Sequence, residues 1–142
     1  PGDFVLNIVF AWEGAVAVAT EAERGMVGSH RFPTFRCSEE VELDYLLMLF
    51  QTEHGRALME VNSPGAAGRN KTIRVDQFLD ELVPLPPVAQ QREIVRRFRS
   101  DEARLGGLVG QLREAIERLK ELRTALISAA VTGKIDVREE AA

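Results

Sequence analysis

The sequence predicts an α+β fold, with a small mixed α/β domain followed by a long coiled-coil α-helix. Three observations lead there. Short stretches rich in Val, Ile and Phe, punctuated by glycine, occupy residues 3–38. Apolar residues at helical spacing follow in residues 43–50. Beyond "VPLPP" (83–87) there is no further proline, and leucine recurs every seventh residue.

Within residues 1–84, "DFVLNIVFAW" (3–12) and "GAVAVAT" (14–20) read as two strands meeting at Gly14, with Trp12 and Phe10 as core residues. "GMVGSHRFPTFRCS" (25–38) continues in that style, and Pro33 restricts any strand there to an edge or a bulge. Ser38 with Glu39 and Glu40 suits a helix start, with a possible break near 42–44. Leu43, Leu46, Leu47, Leu49 and Phe50 then mark an apolar face. Gly55 is expected to end or kink that helix before "RALMEV" adds another turn or two. "TIRVDQFLDELVPLPP" reads as a short strand and one helical turn running into prolines.

Residues 85–87 form a proline junction, and the helix is expected over 88–132. Leu105, Leu112, Leu119 and Leu126 form one heptad series, with Phe98 upstream of it. Leu108, Ala115 and Leu122 form a second series offset by three, with Ile94 upstream of it. A helix of this length reaches roughly 65 Å at about 1.5 Å per residue, more than residues 1–84 can cover. Its seam is therefore expected to meet a partner helix. Asp101 on the seam, with Gly106, Gly107 and Gly110 near it, suggests a weakly packed, kinked or broken stretch. The tail, 133–142, opens with Gly133 as a left-handed cap, and residues 135–137 could add a short strand.

Composition narrows the function. The single cysteine, Cys37, excludes an internal disulfide and a cysteine-based zinc site, and reads as a structural thiol. No apolar run approaches the roughly 20 residues needed to cross a bilayer, and no basic-then-apolar leader opens the chain. A soluble protein is expected. The first segment reads as the interior of a domain, so a chain starting at Pro1 is expected to be a fragment or a processed form. Net charge is −4, which disfavours non-specific coating of nucleic acid. The charge is uneven. Residues 1–84 hold 7 Lys+Arg against 13 Asp+Glu, and residues 85–142 hold 11 against 9.

"SPGAAGRNKTI" (63–73) has the chemistry of a phosphate loop without its grammar. A nucleotide-binding loop places glycine directly before the lysine, whereas Arg69 and Asn70 separate Gly68 from Lys71. The flanks are also inverted, helix before and strand-like after. A flexible turn remains open. Against it stand four consecutive donors, Arg69, Asn70, Lys71 and Thr72, in an otherwise acidic domain. Arg and Asn suit base edges, and Lys and Thr suit phosphate oxygens. Ser29, His30 and Arg31 are a second candidate set. His54 reads as a helix-surface residue, and neither histidine has a ligand partner at suitable spacing. No acid pair, nucleophile–base set or metal cluster emerges, so the sequence supports no catalytic residues.

"LVPLPPVAQQREIVRRF", the long helix and "LRTALISAAVTGKIDV" together resemble the C-terminal end of the specificity subunit of type I restriction–modification systems. "GDFVLNIVFAWEGAVAV", "FPTFR", "LDYLLMLFQTEHGRALM" and "GAAGRNKTIRVDQFLDELVPLPP" resemble the second half of a target-recognition domain, in the family's order. The resemblance covers nearly the whole chain and implies a non-catalytic, cytoplasmic DNA-recognition module. Residues 1–84 would be part of a recognition domain for double-stranded DNA. The helix would set the spacing and dock methylation subunits and, through them, the restriction and motor subunit. S-adenosylmethionine, ATP and Mg2+ would belong to those partners, with no cofactor in this chain. Ile94, Phe98, Leu105, Leu108, Leu112, Ala115, Leu119, Leu122 and Leu126 would form the partner interface. In an isolated chain that seam implies an antiparallel homodimer. The alternative is a structural coiled-coil oligomerisation protein whose globular domain binds another protein, which the acidity of residues 1–84 favours.

Overall fold

The computed structural model describes residues 1–65 and 71–135. Its fold class is α+β, with a three-stranded antiparallel sheet, short helices and a long C-terminal helix. The chain divides into two compact units, Pro1–Arg97 and Phe98–Ala142.

In the first unit β1 (Phe4–Leu6) lies between β2 (Val16–Val18) and β3 (Thr34–Phe35). Phe4 pairs with Val18 on one side and Phe35 on the other, so β3 is an edge strand, as Pro33 requires. The strands are shorter than the apolar runs that encode them because polar groups divert the chain. Asn7 Oδ1 accepts from the Val9 amide (2.9 Å), and the Asn7 carbonyl accepts from the Phe10 amide (3.1 Å). A 3-10 turn over Ala11–Glu13 follows, closed by Gly14 at φ 88°. The sequence places strand where this Asn-led turn stands. Phe10 is also not a core residue, being 42% exposed, and Trp12 is half-buried.

The helices explain the second departure. α1 (Leu43–Gln51) starts after Glu42, downstream of the Ser38 start, and Ser38 instead closes a turn by accepting from the Val41 amide. The break before α2 (Glu53–Val61) falls at Thr52, not at Gly55. Thr52 is extended (ψ 163°), and its Oγ1 donates to the Leu49 carbonyl and accepts from the Gly55 amide. Gly55 is buried inside α2 because the helix passes directly over the last turn of α1. A Cβ there would lie 2.2 Å from the Leu49 carbonyl oxygen.

Phe4, Leu6, Ala11, Phe50, Met59, Ile73 and Phe78 form the core. Phe50 is its pivot, with ring centroids 5.7 Å from Phe4 and 5.2 Å from Phe78, both tilted. Phe78 comes from α3 (Val75–Leu79). The strand expected just before α3 is absent, and two backbone bonds, Ile73 amide to Ile8 carbonyl (2.9 Å) and Arg74 amide to Asn62 carbonyl (2.8 Å), stand in its place. Cys37 is half-buried against this core. Burial, reinforced by the Asp3 carboxylate, pushes its thiol pKa up and keeps it protonated.

α4 runs from Val88 to Val131, and its first turns belong to the first unit. Gln91 and Val95, one turn apart, are the buried residues of this helix. The Gln91 side chain is fully enclosed and fully bonded. Its Nε2 donates to the carbonyls of Glu40 (2.8 Å) and Pro86 (2.7 Å), and its Oε1 accepts from the Glu42 amide (2.8 Å). Arg92 pairs with Glu42 at 3.0 Å, and the Tyr45 hydroxyl donates to the Pro84 carbonyl. The helix start, the prolines and the entry to α1 are therefore held by one amide. Gln91→Ala removes the partner of three backbone groups at a part-buried junction and is expected to destabilise the first unit by about 3 kcal/mol, read as a lowered urea midpoint at unchanged slope.

In the second unit the helix is continuous through Asp101, Gly106, Gly107 and Gly110, so the expected break does not occur. Each glycine costs helix stability, about 1 kcal/mol relative to alanine, but a helix this long absorbs the penalty. Charged side chains pair along the helix, as in Glu114 with Arg118 and Glu117 with Lys120. Gly133, at φ 71°, ends it in the expected left-handed cap, and the Lys134 amide returns to the Ala129 carbonyl. Ile135 is not in a strand, and residues 136 and 137 lie outside the described residues.

Candidate nucleic-acid interface

The two donor segments, distant in sequence, meet at one residue. The Ile8 amide donates to the Arg31 carbonyl (2.9 Å), and the Ile8 carbonyl accepts from the Ile73 amide (2.9 Å). Ile8 follows β1, so both segments are anchored at that end of the sheet. Residues 29–31 form a compact turn. Ser29 Oγ accepts from the Arg31 amide (3.3 Å), and the Ser29 carbonyl accepts from the Phe32 amide (2.9 Å). Ser29, His30 and Arg31 are exposed, as is Thr72.

The other segment is closed at its base. The Arg74 amide donates to the Asn62 carbonyl (2.8 Å). Asn62 is itself buried, and its Nδ2 donates to the Leu58 carbonyl and to Glu81 Oε1. Ser63 is buried on one side and Ile73 on the other. Arg69 and Asn70 lie outside the described residues.

Lys71 is the least free of the predicted donors among the described residues. Its Nζ stands 2.6 Å from Glu60 Oε1 and 4.8 Å from the centre of the Trp12 ring. Its side chain is 25% exposed, against 59% for Glu60. The indole is fixed in turn, Nε1 donating to the Val9 carbonyl at 2.9 Å. A partly exposed ion pair contributes up to about 1 kcal/mol, and an ammonium over an indole about 0.5–1 kcal/mol. Sequence reasoning missed this cluster because Trp12, Glu60 and Lys71 share no periodicity.

Along α4 the residues of the predicted seam are exposed. Leu105, Leu112 and Leu119 are each more than 60% accessible, and Ile94, Phe98, Leu108, Leu122 and Leu126 are 42–54% accessible. Ala115 is exposed as well. Val109 and Ile116 widen the stripe, at 45% and 50%. They form a third heptad series, one position after Leu108 and Ala115, that was present in the sequence but unused. Gln91 falls one heptad before Phe98, and its polarity there follows from its burial in the first unit.

A cleft of about 730 Å³ lies over the sheet face opposite the core, lined by Val5, Ala17, Met26, Phe32 and Thr34 among others. Among the described residues, no group of three or more His, Cys, Asp or Glu could hold a metal ion. Nor is any helix among them long and apolar enough to cross a membrane.

The helix, its exposed stripe and the paired donor segments can be set beside known proteins. The chain is similar to a type I restriction enzyme specificity subunit. That subunit is EcoBI of Escherichia coli, 29% identical over 100 residues, which is 70% of this chain and 21% of the subunit. The chain thus spans about a fifth of the curated relative it matches. No family model matches the chain, and no solved structure matches it.

Proposed function

We propose that the chain is a DNA-reading part of a type I specificity subunit, comprising part of a target-recognition domain and the spacer helix that follows it. The similarity to the EcoBI specificity subunit carries this reading. The joint at Ile8, which anchors both donor segments at one end of the sheet, is what the geometry adds. Arg69 and Asn70 read base edges, and Thr72, Ser29, His30 and Arg31 supply further donors. The chain performs no catalysis. It works in the cytoplasm on double-stranded DNA, directing methylation and restriction by partner subunits that hold S-adenosylmethionine, ATP and Mg2+.

The exposed stripe on α4 is the docking face for methylation subunits and a partner helix. In the isolated chain it pairs with its own copy, antiparallel. Arg69→Ala is expected to weaken target binding by about 1–3 kcal/mol, roughly fivefold to 150-fold, and to relax sequence preference at one position. Gel-shift titration of the assembled complex and mapping of its methylated sites would measure both effects. Unchanged affinity and unchanged sites would remove this segment from the interface.

A second reading draws on the acidity of residues 1–84. In it the coiled coil is the function and the globular unit binds a protein. Titration with randomised duplex DNA at low salt, with and without a methylation subunit, separates the two readings.

A further inference from the structure

We propose that Arg56, on α2, is a contact to the phosphate backbone of DNA. This deepens the DNA-reading function proposed above and rests on it.

In residues 1–84 acids outnumber bases by 13 to 7, so cations there are expected to be paired. Arg24 pairs with Glu21, Arg36 with Asp3 and Lys71 with Glu60. Arg74 donates to the neutral side chain of Gln77. Arg31 and Arg56 have no acidic partner among the described residues. Glu60, one turn along α2 from Arg56, is already engaged by Lys71 at 2.6 Å. Arg56 is exposed, so its charge stays available to a ligand.

The turn after β1 brings Arg56 to the end of the sheet that anchors the donor segments. The Asn7 amide donates to the Ala15 carbonyl (3.0 Å), which closes residues 8–14 into a loop. At one end of that loop Ile8 is bonded to Arg31 and Ile73 through main-chain atoms. At the other end stands Gly14, held at φ 88°. Arg56 Nε lies 3.6 Å from where a Cβ on Gly14 would be, so the guanidinium rests against this turn. A planar guanidinium with several N–H donors suits phosphate oxygens. Such a contact beside reading segments fixes register and carries no sequence information.

The test is salt-dependent binding of the assembled complex to a duplex that the wild type selects from a randomised pool. Arg56→Gln is expected to weaken binding about tenfold. It is expected to take about 0.9 off the slope of log K against log salt, with the selected sequence unchanged. Arg56→Lys, which keeps the charge, is expected to keep the slope. Arg36→Gln removes the same charge at the far end of β1, where Arg36 pairs with Asp3 at 3.2 Å, and is expected to leave the slope alone. Trp12, the single tryptophan, precedes Gly14 by two residues, and its emission is expected to be unchanged in Arg56→Gln.

An unchanged slope in Arg56→Gln would overturn the proposal, as would an equal loss in Arg56→Lys or in Arg36→Gln. A changed target sequence would make Arg56 a base reader, and a shifted Trp12 emission would make it a support of the turn. Either result overturns the phosphate contact. A wild-type complex with no sequence-specific binding would instead overturn the DNA-reading function itself, and that failure needs no substitution to appear.

Discussion

Gly55→Ala is expected to leave the first unit largely unfolded. The added Cβ would stand 2.2 Å from the Leu49 carbonyl oxygen, 2.5 Å from Phe50 Cα and 2.9 Å from the Leu49 carbonyl carbon. All three are backbone atoms, so no side chain can turn aside to make room. α2 must lift from α1, and Phe50 sits where the two meet. Moving it separates the Phe4, Phe50 and Phe78 rings that join the sheet to α3. The cost is expected to exceed about 3 kcal/mol, at the upper end of what overpacking does. Near-ultraviolet circular dichroism and urea denaturation would record it. Gly106→Ala is the control, since an added Cβ there meets nothing within 4 Å. It is expected to stabilise α4 by about 1 kcal/mol. A Gly55→Ala protein with the wild-type urea midpoint would mean that the α1–α2 crossing is looser than these distances require.

The second large effect concerns the stripe on α4. Leu112 and Leu119, both 63% exposed, lie at the centre of the seam. Burying each is worth about 1.5–3 kcal/mol, and a self-paired helix buries both on both copies. Replacing the two leucines by lysine removes that gain and sets like charges facing each other. Wild-type chain is expected to sediment as a dimer at micromolar concentration, and Leu112→Lys with Leu119→Lys as a monomer. If the stripe docks methylation subunits as proposed, the same double variant is expected to lose them in a pull-down. A wild-type chain that sediments as a stable monomer would sink the homodimer.

The long helix was legible because two heptad series agree over many turns, and a misplaced glycine cannot hide that. Its continuity was less legible. Gly106, Gly107 and Gly110 look like a break when each is weighed alone, but their penalty is small beside the length of the helix. The order of strands and helices in residues 1–84 could also be read, although the boundaries could not. Asn7 ends β1 by capturing the Val9 amide with its own side chain, and the apolar residues beyond it disguise the turn. Gly55 misled because its reason is tertiary. Glycine is needed where two helices touch, and the same residue looks like a helix end when the neighbouring helix is not known. The candidate interface was legible only as two sets of donors. That they share an anchor, and that Lys71 is already engaged, depends on contacts among residues far apart in the chain.

The joint at Ile8 has a wider consequence. Both of its bonds use main-chain atoms only, Ile8 amide to Arg31 carbonyl and Ile73 amide to Ile8 carbonyl. No side chain takes part in these two bonds. The side chains of His30, Arg31 and Thr72 can thus be exchanged without altering the joint. For the DNA-reading function proposed above, such a frame would let a lineage acquire a new binding preference by changing a handful of exposed residues while the architecture beneath stays intact.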